Sequence, residues 1–126
     1  MAQKSNIYLM RHGQTNGNIG NRLDGTTDTP LNHTGRGQAV VAAKEVAKLK
    51  IDHIFCSDLS RAHETAEIVN KMSIIKAGLD NVLIVCHGAI MLPLLHYARH
   101  QELNKESFMA NEAQLVIGNT EIVRWE

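Results

Sequence analysis

Arginine and histidine side chains follow apolar runs at three separate places in the sequence. Arg11 and His12 come directly after the first run, and His87 follows the third. Arg61 comes shortly after the second run. A guanidinium group stays cationic and can hold two oxygen atoms of one anion, whereas a neutral imidazole can act as a nucleophile near pH 7. Together these four side chains would form a phosphate-binding pocket that contains a nucleophile.

Such a pocket could carry out phosphoryl transfer. One imidazole nitrogen would attack phosphorus in line and would later be displaced by water. The other imidazole would donate hydrogen bonds to the equatorial oxygens, where negative charge accumulates in the transition state.

Each motif taken alone also has a simpler interpretation. Arg11-His12-Gly13 after a strand is by itself most often a polar loop. Arg61 could be a solvated residue in the first turn of a helix, but a cation there is mildly unfavourable because of the helix dipole, which favours a role in ligand binding. The second His-Gly, at His87, also favours a shared site. We expect surface or packing roles for the other histidines, which are His33, His53, His63, His96 and His100.

The elements that must position these residues alternate between strand and helix. Short apolar runs predict strands over 6–10, 51–56 and 81–86. Apolar positions at helical spacing predict helices over 35–50, from Ser60 onward, and over about 89–99. Two more strands are predicted over 114–117 and 121–125, around a turn at 118–120.

This order of elements predicts an α/β domain with a largely parallel sheet. Because such sheets bind ligands at the carboxyl ends of their strands, we expect the arginines and histidines to converge at one edge. Residues 14–34 are rich in Gly, Asn, Thr and Asp and predict a long loop, which is usually functional in a compact domain. Thr34 or Asn32 could cap the helix that follows, and Ser60 could cap the next one.

Length and charge limit the class of protein. The 126 residues support one domain, residues 1–126. Thirteen Lys and Arg balance thirteen Asp and Glu, which argues against nucleic-acid binding through bulk charge. The most apolar stretch, 81–95, contains His87 and Pro93 and is shorter than the roughly 20 residues of a membrane span. The first residues do not resemble a secretory signal, so we expect a cytoplasmic location and no membrane partner.

The two cysteines, Cys56 and Cys86, show neither CxxC spacing nor Cys/His metal-binding spacing. Both end apolar runs, so we expect buried thiols, with a redox pair as the less favoured alternative. No HxxH pair is present either. We therefore expect no metal site.

Four motifs follow one another along the chain. They are Leu9–Thr15 with Asn18, then Asp28–Gly35 with Gln38 and Ala39, then SDLSRAHETAEIV from Ser57, and finally VLIVCHG ending at Gly88. In this order, and over nearly the whole chain, they resemble the histidine phosphatase superfamily. Since Gly88 rather than Asp follows His87, the chain is similar to the phosphoglycerate mutase-like branch and not to the acid phosphatases.

The resemblance implies a three-layer αβα sandwich with a mostly parallel central sheet. It also implies a phosphohistidine mechanism that needs no cofactor. The implied nucleophile is His12, and the implied remainder of the phosphate pocket is Arg11, Arg61 and His87.

The same resemblance implies a substrate side lined by Asn18, Asp24 and Gly25. The implied partner is a small phosphorylated substrate, with phosphate or sulfate as ligands of the pocket. Residues 25–31 look more like the small-molecule phosphatases than the glycolytic mutases, so the implied activity is hydrolysis of a small phosphorylated metabolite. Phosphoglycerate mutase-type transfer and a catalytically weak phosphate-ester-binding module are the alternatives.

The chain departs from the family pattern between Val69 and Asn81. Family members normally carry some tens of residues there, with another strand and a catalytic Glu, whereas this chain has eleven residues. Without a general acid, the first step should be slower by roughly a hundredfold to ten-thousandfold. Asp80 precedes a strand at the end opposite the pocket, and Glu64 is expected to be solvated, so both are poor replacements.

The join at residues 72–75 has no turn residues between a helix end and an apolar pair. We therefore expect that the family's segment is missing between about residues 70 and 76. A natural minimal protein is the alternative.

Overall fold

The computed structural model describes residues 6–19, 27–72, 81–88, 91 and 118–124. Within these ranges the elements are β1 (Asn6–Arg11), α1 (Asn16–Ile19), α2 (His33–Leu49), β2 (His53–Cys56), α3 (Ser60–Met72), β3 (Asn81–Cys86) and β4 (Ile122–Arg124). Strands and helices alternate from β1 to β3, as the sequence predicts.

The described strands form one sheet in the order β2-β3-β1-β4. β3 lies between β2 and β1 and is parallel to both, and β4 is antiparallel to β1. The register pairs Arg11 with Cys86 and Cys56 with Val85, so β1, β2 and β3 end at the same edge. The predicted fold class, an α/β domain with a mostly parallel sheet, is confirmed.

The main hydrophobic core lies between one face of the sheet and helices α2 and α3. Both helices bury small residues at helical spacing, which lets their backbones approach the strands. Val46 of α2 and Val69 of α3 are completely buried against Met10, Leu83 and Val85 of the sheet. Burying each such aliphatic side chain contributes roughly 1.5–3 kcal/mol to folding.

The opposite face of the sheet carries a smaller core. Leu9, Cys86 and Met91 are buried there, with Ile84 and Val123 packed against them. Met91 belongs to the helix predicted over 89–99, and its backbone N–H donates to the carbonyl of His87 at 3.0 Å. The rest of that helix and the strand predicted over 114–117 lie outside the described residues.

The prediction that residues 14–34 form a loop throughout is wrong. Thr15 and Asn18 cap each other, with Asn18 N–H donating to Thr15 Oγ1 at 3.2 Å and Thr15 N–H donating to Asn18 Oδ1 at 3.0 Å. This reciprocal cap starts the one-turn helix α1 without apolar periodicity. Thr15 also forms an isolated bridge with Leu31. Helix α2 begins at His33 with Asn32 as its cap, so Asn32 rather than Thr34 is the capping residue.

Two smaller expectations also change. The second strand begins at His53 rather than at residue 51, because Ile51 packs into the core ahead of it. Cys56 is exposed because β2 is an edge of the described sheet, so the expectation of a buried thiol holds for Cys86 alone.

Helix α3 ends at Met72, and residues 73–80 lie outside the described residues. The expectation of a missing segment between about 70 and 76 therefore falls largely outside them. None of the described helices has the length and apolar character needed to cross a membrane.

Candidate active site

The ends of β1 and β3 bring two histidines together. The backbone N–H of His12 donates to the carbonyl of Cys86 at 3.0 Å, immediately beyond the last pair of the β1–β3 ladder. The ring centroids of His12 and His87 are 5.3 Å apart, with their planes tilted by 59°. Residues 75 positions apart in the sequence thus meet at the edge where the parallel strands end.

The environment of His12 determines its protonation and its tautomer. The residue is only 4% exposed, and its Nδ1 lies 2.7 Å from the carbonyl oxygen of Gly13. Since a carbonyl can only accept, Nδ1 carries the proton and Nε2 keeps a lone pair. Burial lowers the pKa of His12 to about 4, and the nearby charges of Arg11, His87 and Arg61 act in the same direction. At neutral pH His12 is therefore an uncharged imidazole with a free nucleophilic nitrogen.

Arg61 lies in the first turn of α3 and is buried, with 3% of its surface exposed. Its Nη1 donates to the carbonyl of Thr27 at 2.6 Å, so the guanidinium is held against the segment that precedes α2. The simpler interpretation of Arg61 as a solvated helix residue is wrong. Helix α3 packs against the sheet, and Arg61 lies on its buried face. A buried cation at a helix N-terminus fits a site for an anion.

Arg11 is the last residue of β1, and its side chain lies over Gly88. A Cβ atom at Gly88 would be 3.4 Å from Cδ of Arg11, which is van der Waals contact. The charges of Arg61 and Arg11 both lower the pKa of His87, after the larger effect of burial. All four predicted pocket residues are therefore close enough to interact.

The ring nitrogens of His87 point to a polar ligand. Both Nδ1 and Nε2 are buried, and neither makes a hydrogen bond within the described part of the chain. Buried polar atoms in proteins nearly always have a partner. An oxygen of a tetrahedral anion could accept a hydrogen bond from this ring.

The loop after His12 is fastened to α3 through a buried threonine. The N–H of Gly13 donates to Thr65 Oγ1 at 3.0 Å, and this hydroxyl donates to the carbonyl of Arg61 at 2.7 Å. One side chain thereby couples the backbone beside His12 to the backbone of Arg61. The spacing of residue types along the chain does not predict this bridge.

The start of α2 holds the same loop from the other side. The N–H of Gln14 donates to Gln38 Oε1 at 2.9 Å, and its carbonyl accepts from Asn32 N–H at 3.1 Å. Gly35 packs directly on this backbone, since a Cβ atom there would lie 2.1 Å from the carbonyl oxygen of Gln14. The motif around Gly35 is therefore part of the support for His12.

Asp28 caps α3 from a distant part of the chain. Its carboxylate accepts from the N–H of Ser60 at 2.6 Å and from the Ser60 hydroxyl at 2.9 Å. These two hydrogen bonds hold the pKa of Asp28 below its usual value. The expectation that Ser60 caps this helix is wrong, because Ser60 is its first helical residue and the acceptor comes from Asp28.

The residues predicted to line the substrate side have different outcomes. Asn18 lies in α1, and its Oδ1 accepts from Thr15 N–H at 3.0 Å and from Asn119 Nδ2 at 3.1 Å. Asp24 and Gly25 lie outside the described residues. Asn119, which also donates to the carbonyl of His12 at 3.0 Å, was not predicted, because a turn residue so far along the chain carries no local signal.

The other candidates from the sequence are not part of this group. His63 pairs with Glu67 on the exposed surface of α3, and His53 stacks on Phe55. Glu64, a weak candidate for a general acid, pairs with Arg36 at 2.5 Å. The described residues contain no cluster of three or more His, Cys, Asp or Glu side chains that could hold a metal ion.

The chain matches known proteins over its first part. Residues 7–79 match the family model of the histidine phosphatase superfamily, branch 1. The chain is 44% identical over 66 residues to "Probable phosphoglycerate mutase GpmB" of Photorhabdus laumondii, a match that covers 52% of this chain and 31% of that protein. It is 49% identical over 59 residues to a "Probable phosphatase" of Schizosaccharomyces pombe, covering 47% of this chain and 28% of that protein. The chain thus spans less than a third of the length of these curated relatives.

Solved structures show the same fold. A mycobacterial glucosyl-3-phosphoglycerate phosphatase superimposes with a TM-score of 0.80 at 20% identity, covering 95% of this chain and 90% of that one. The phosphoserine phosphatase of Entamoeba histolytica, solved with 3-phosphoglyceric acid, has a TM-score of 0.76 at 20% identity, covering 95% and 89%.

Proposed function

This chain belongs to the histidine phosphatase superfamily, and from that membership we propose that it hydrolyses a small phosphorylated metabolite through a phosphohistidine on His12. The observation that carries the proposal is the contact between the imidazoles of His12 and His87, whose ring centroids are 5.3 Å apart, close to the charges of Arg11 and Arg61. The relatives named as phosphatases and the fold shared with phosphatases support it.

The first step uses the lone pair of His12 Nε2. This nitrogen forms a bond to phosphorus, and the bond between phosphorus and the ester oxygen breaks, with its electron pair leaving on that oxygen. Arg11 and Arg61 hold the equatorial oxygens, and His87 donates a hydrogen bond where negative charge accumulates. The bond from His12 Nδ1–H to the carbonyl of Gly13 keeps the ring oriented and stabilises the cationic phosphoimidazole.

The second step releases phosphate. Water forms a bond to phosphorus, the bond between nitrogen and phosphorus breaks, and its electron pair returns to Nε2. Across both steps one water is consumed, its two protons end on the alcohol and on phosphate or the buffer, and His12 is regenerated neutral.

A second candidate function is phosphoglycerate mutase-type transfer, which returns the phosphoryl group to the substrate. It is favoured by the relatives that are named probable phosphoglycerate mutases. A product assay on 3-phosphoglycerate distinguishes the two activities, since hydrolysis releases inorganic phosphate and transfer releases 2-phosphoglycerate. We place hydrolysis first because residues 25–31 look more like the phosphatase type.

The proposed mechanism also needs a proton for the leaving oxygen. Asp28 accepts two hydrogen bonds from Ser60, which lower its pKa, and the nearby charge of Arg61 lowers it further, so Asp28 stays ionised and is a poor proton donor. We propose that the acid belongs to the family's segment that we expect to be missing between about residues 70 and 76.

The test compares His12→Ala with His63→Ala, a matched loss of an imidazole on the exposed surface of α3. With p-nitrophenyl [³²P]phosphate and an acid-labile, base-stable label as the readout, the wild type and His63→Ala should become labelled and should release phosphate. His12→Ala should do neither, while its circular dichroism spectrum stays that of the wild type. Phosphate release by His12→Ala at the wild-type rate would exclude the mechanism.

A further inference from the structure

The turn at residues 118–120 contacts the backbone of the proposed nucleophile from the far end of the chain. Asn119 Nδ2 donates to the carbonyl of His12 at 3.0 Å, across 107 positions. The N–H of Thr120 donates to the carbonyl of Arg11 at 2.9 Å and to that of His12 at 3.3 Å. Thr120 adopts a left-handed conformation, with φ of 59°, so the turn is held in a form that side-chain-bearing residues seldom adopt.

The hydrogen bonds of Asn119 and Asn18 allow only one orientation of the two amides. The carbonyl of His12 can only accept, so Asn119 must present its NH₂ group. The backbone N–H of Thr15 can only donate, so Asn18 must present Oδ1. The 3.1 Å contact between the two side chains then joins a donor to an acceptor, as a hydrogen bond requires.

This arrangement determines what Asn18 can offer to a ligand. Thr15 N–H and Asn119 Nδ2 occupy both lone pairs of Asn18 Oδ1. The group that remains is the NH₂ of Asn18, a hydrogen-bond donor suited to a phosphate or carboxylate oxygen. If Asn119 were replaced by an acceptor, that acceptor would face Asn18 Oδ1, and of these two hydrogen bonds only the one from Thr15 N–H would still hold the amide in this orientation.

We propose that Asn119 is a positioning residue for the reaction, because its amide holds both the backbone of His12 and the donor orientation of Asn18. The inference rests on the proposed function for its link to catalysis. Asn119 itself need not touch the substrate, since it acts through these two neighbours.

The experiment uses Asn119→Asp and Asn119→Ala in the full chain. The carboxylate of Asn119→Asp would face two oxygen acceptors, whereas Asn119→Ala only removes the donors. Since both part-buried oxygens lose the donor that Asn119 supplies, we expect kcat/KM for p-nitrophenyl phosphate to fall by about tenfold to a hundredfold, more in Asn119→Asp. Asn70→Asp makes the same change at an exposed position near the C-terminal end of α3, away from Arg61. This control variant should keep the wild-type kcat/KM.

A double-mutant cycle with Asn18→Ala separates positioning from general loss of structure. Neighbouring residues that act together are coupled, so the loss caused by Asn119→Asp should be smaller by at least about threefold when Asn18 is already Ala. Additive losses, or wild-type kcat/KM in Asn119→Asp, would overturn the proposal.

Binding of orthovanadate, measured by calorimetry, keeps this inference separate from the proposed function. If the wild type releases no phosphate, hydrolysis is excluded, yet weaker vanadate binding in Asn119→Asp, coupled to Asn18 in the same cycle, still supports the positioning role. Equal vanadate affinity in the wild type and Asn119→Asp contradicts it.

Discussion

At the scale of the residue, the protonation of His12 governs the chemistry. Burial is the largest cause of its low pKa, and the positive charges around it add to the effect. The same charges that would bind a phosphate group therefore also help to keep the proposed nucleophile neutral. Because its Nδ1 proton is committed to the carbonyl of Gly13, the reactive nitrogen needs no base to activate it.

This pKa predicts how stability depends on pH. An unfolded histidine has a pKa near 6.5, whereas that of folded His12 is about 4. Above pH 6.5 both states are neutral there, and as the pH falls toward 4 the unfolded state takes up the proton first. The free energy of unfolding should therefore decrease over this window, by about 3 kcal/mol from His12.

Urea denaturation of the wild type and His12→Gln from pH 8 to pH 4 measures this contribution. The variant has no imidazole at this position, so its stability should decline less over the same window. Parallel curves for the two proteins would show that the pKa of His12 is not lowered on folding.

At the scale of the element, the N-terminal end of α2 supports the loop that follows His12. Asn32 caps the helix through the N–H of Gly35, and Asn32 Nδ2 also donates to Gln14 Oε1 at 3.1 Å. Gly35 is required because any side chain would collide with the backbone of Gln14. The first turn of α2 therefore contacts the loop at Gln14, and the buried alanines of α2 pack against the rest of the core.

Two glycines of α2 provide a matched test of this support. We expect Gly35→Ala to lower both stability, by about 1–3 kcal/mol, and kcat/KM, because the loop beside His12 must move. Gly37→Ala has no atom within 4 Å of the new Cβ and should leave kcat/KM unchanged while raising stability by about 0.5–1 kcal/mol.

Thermal unfolding measures the stability of both variants, and steady-state kinetics measures their kcat/KM. Loss of stability without loss of kcat/KM in Gly35→Ala would mean that the contact serves folding alone.

At the scale of the whole molecule, the site depends on several parts of the fold at once. β1 and β3 bring His12 and His87 together, α3 contributes Arg61, and the turn before β4 contributes Asn119. A substrate held there would lie against groups from β1, β3 and α3, while the turn before β4 supports the backbone of His12. The part of the fold that would protonate the leaving group does not belong to this described arrangement.

Because the described residues include no evident general acid, the rate of hydrolysis should depend on the leaving group. An aryl phosphate needs little protonation of its leaving oxygen, whereas an alkyl phosphate needs a general acid. We therefore expect this chain to hydrolyse p-nitrophenyl phosphate faster than glycerol 3-phosphate by about a hundredfold to ten-thousandfold.

Equal rates with the two esters would reveal an acid that the chain already contains. Tight binding of both esters with negligible release from either would instead identify the phosphate-ester-binding module and exclude turnover.

The sequence alone was sufficient to predict the alternating strands and helices, the mostly parallel sheet and the meeting of the strand ends at one edge. Apolar periodicity is a local property, and parallel strands necessarily end at one edge, so the placement of His12 and His87 could be inferred before any coordinates. The roles assigned to them and to the arginines came from the resemblance and remain proposals.

Only the tertiary structure decided which residues support that group. Helix α1, the bridge through Thr65, the cap from Asp28 and the contact of Asn119 with His12 rest on polar side chains whose partners lie outside any local periodic pattern. A hydrogen bond between distant residues depends on a few ångströms and on a donor facing an acceptor. Neither the distance nor the orientation can be read from the spacing of residue types along the chain. These contacts are therefore known only from the folded structure.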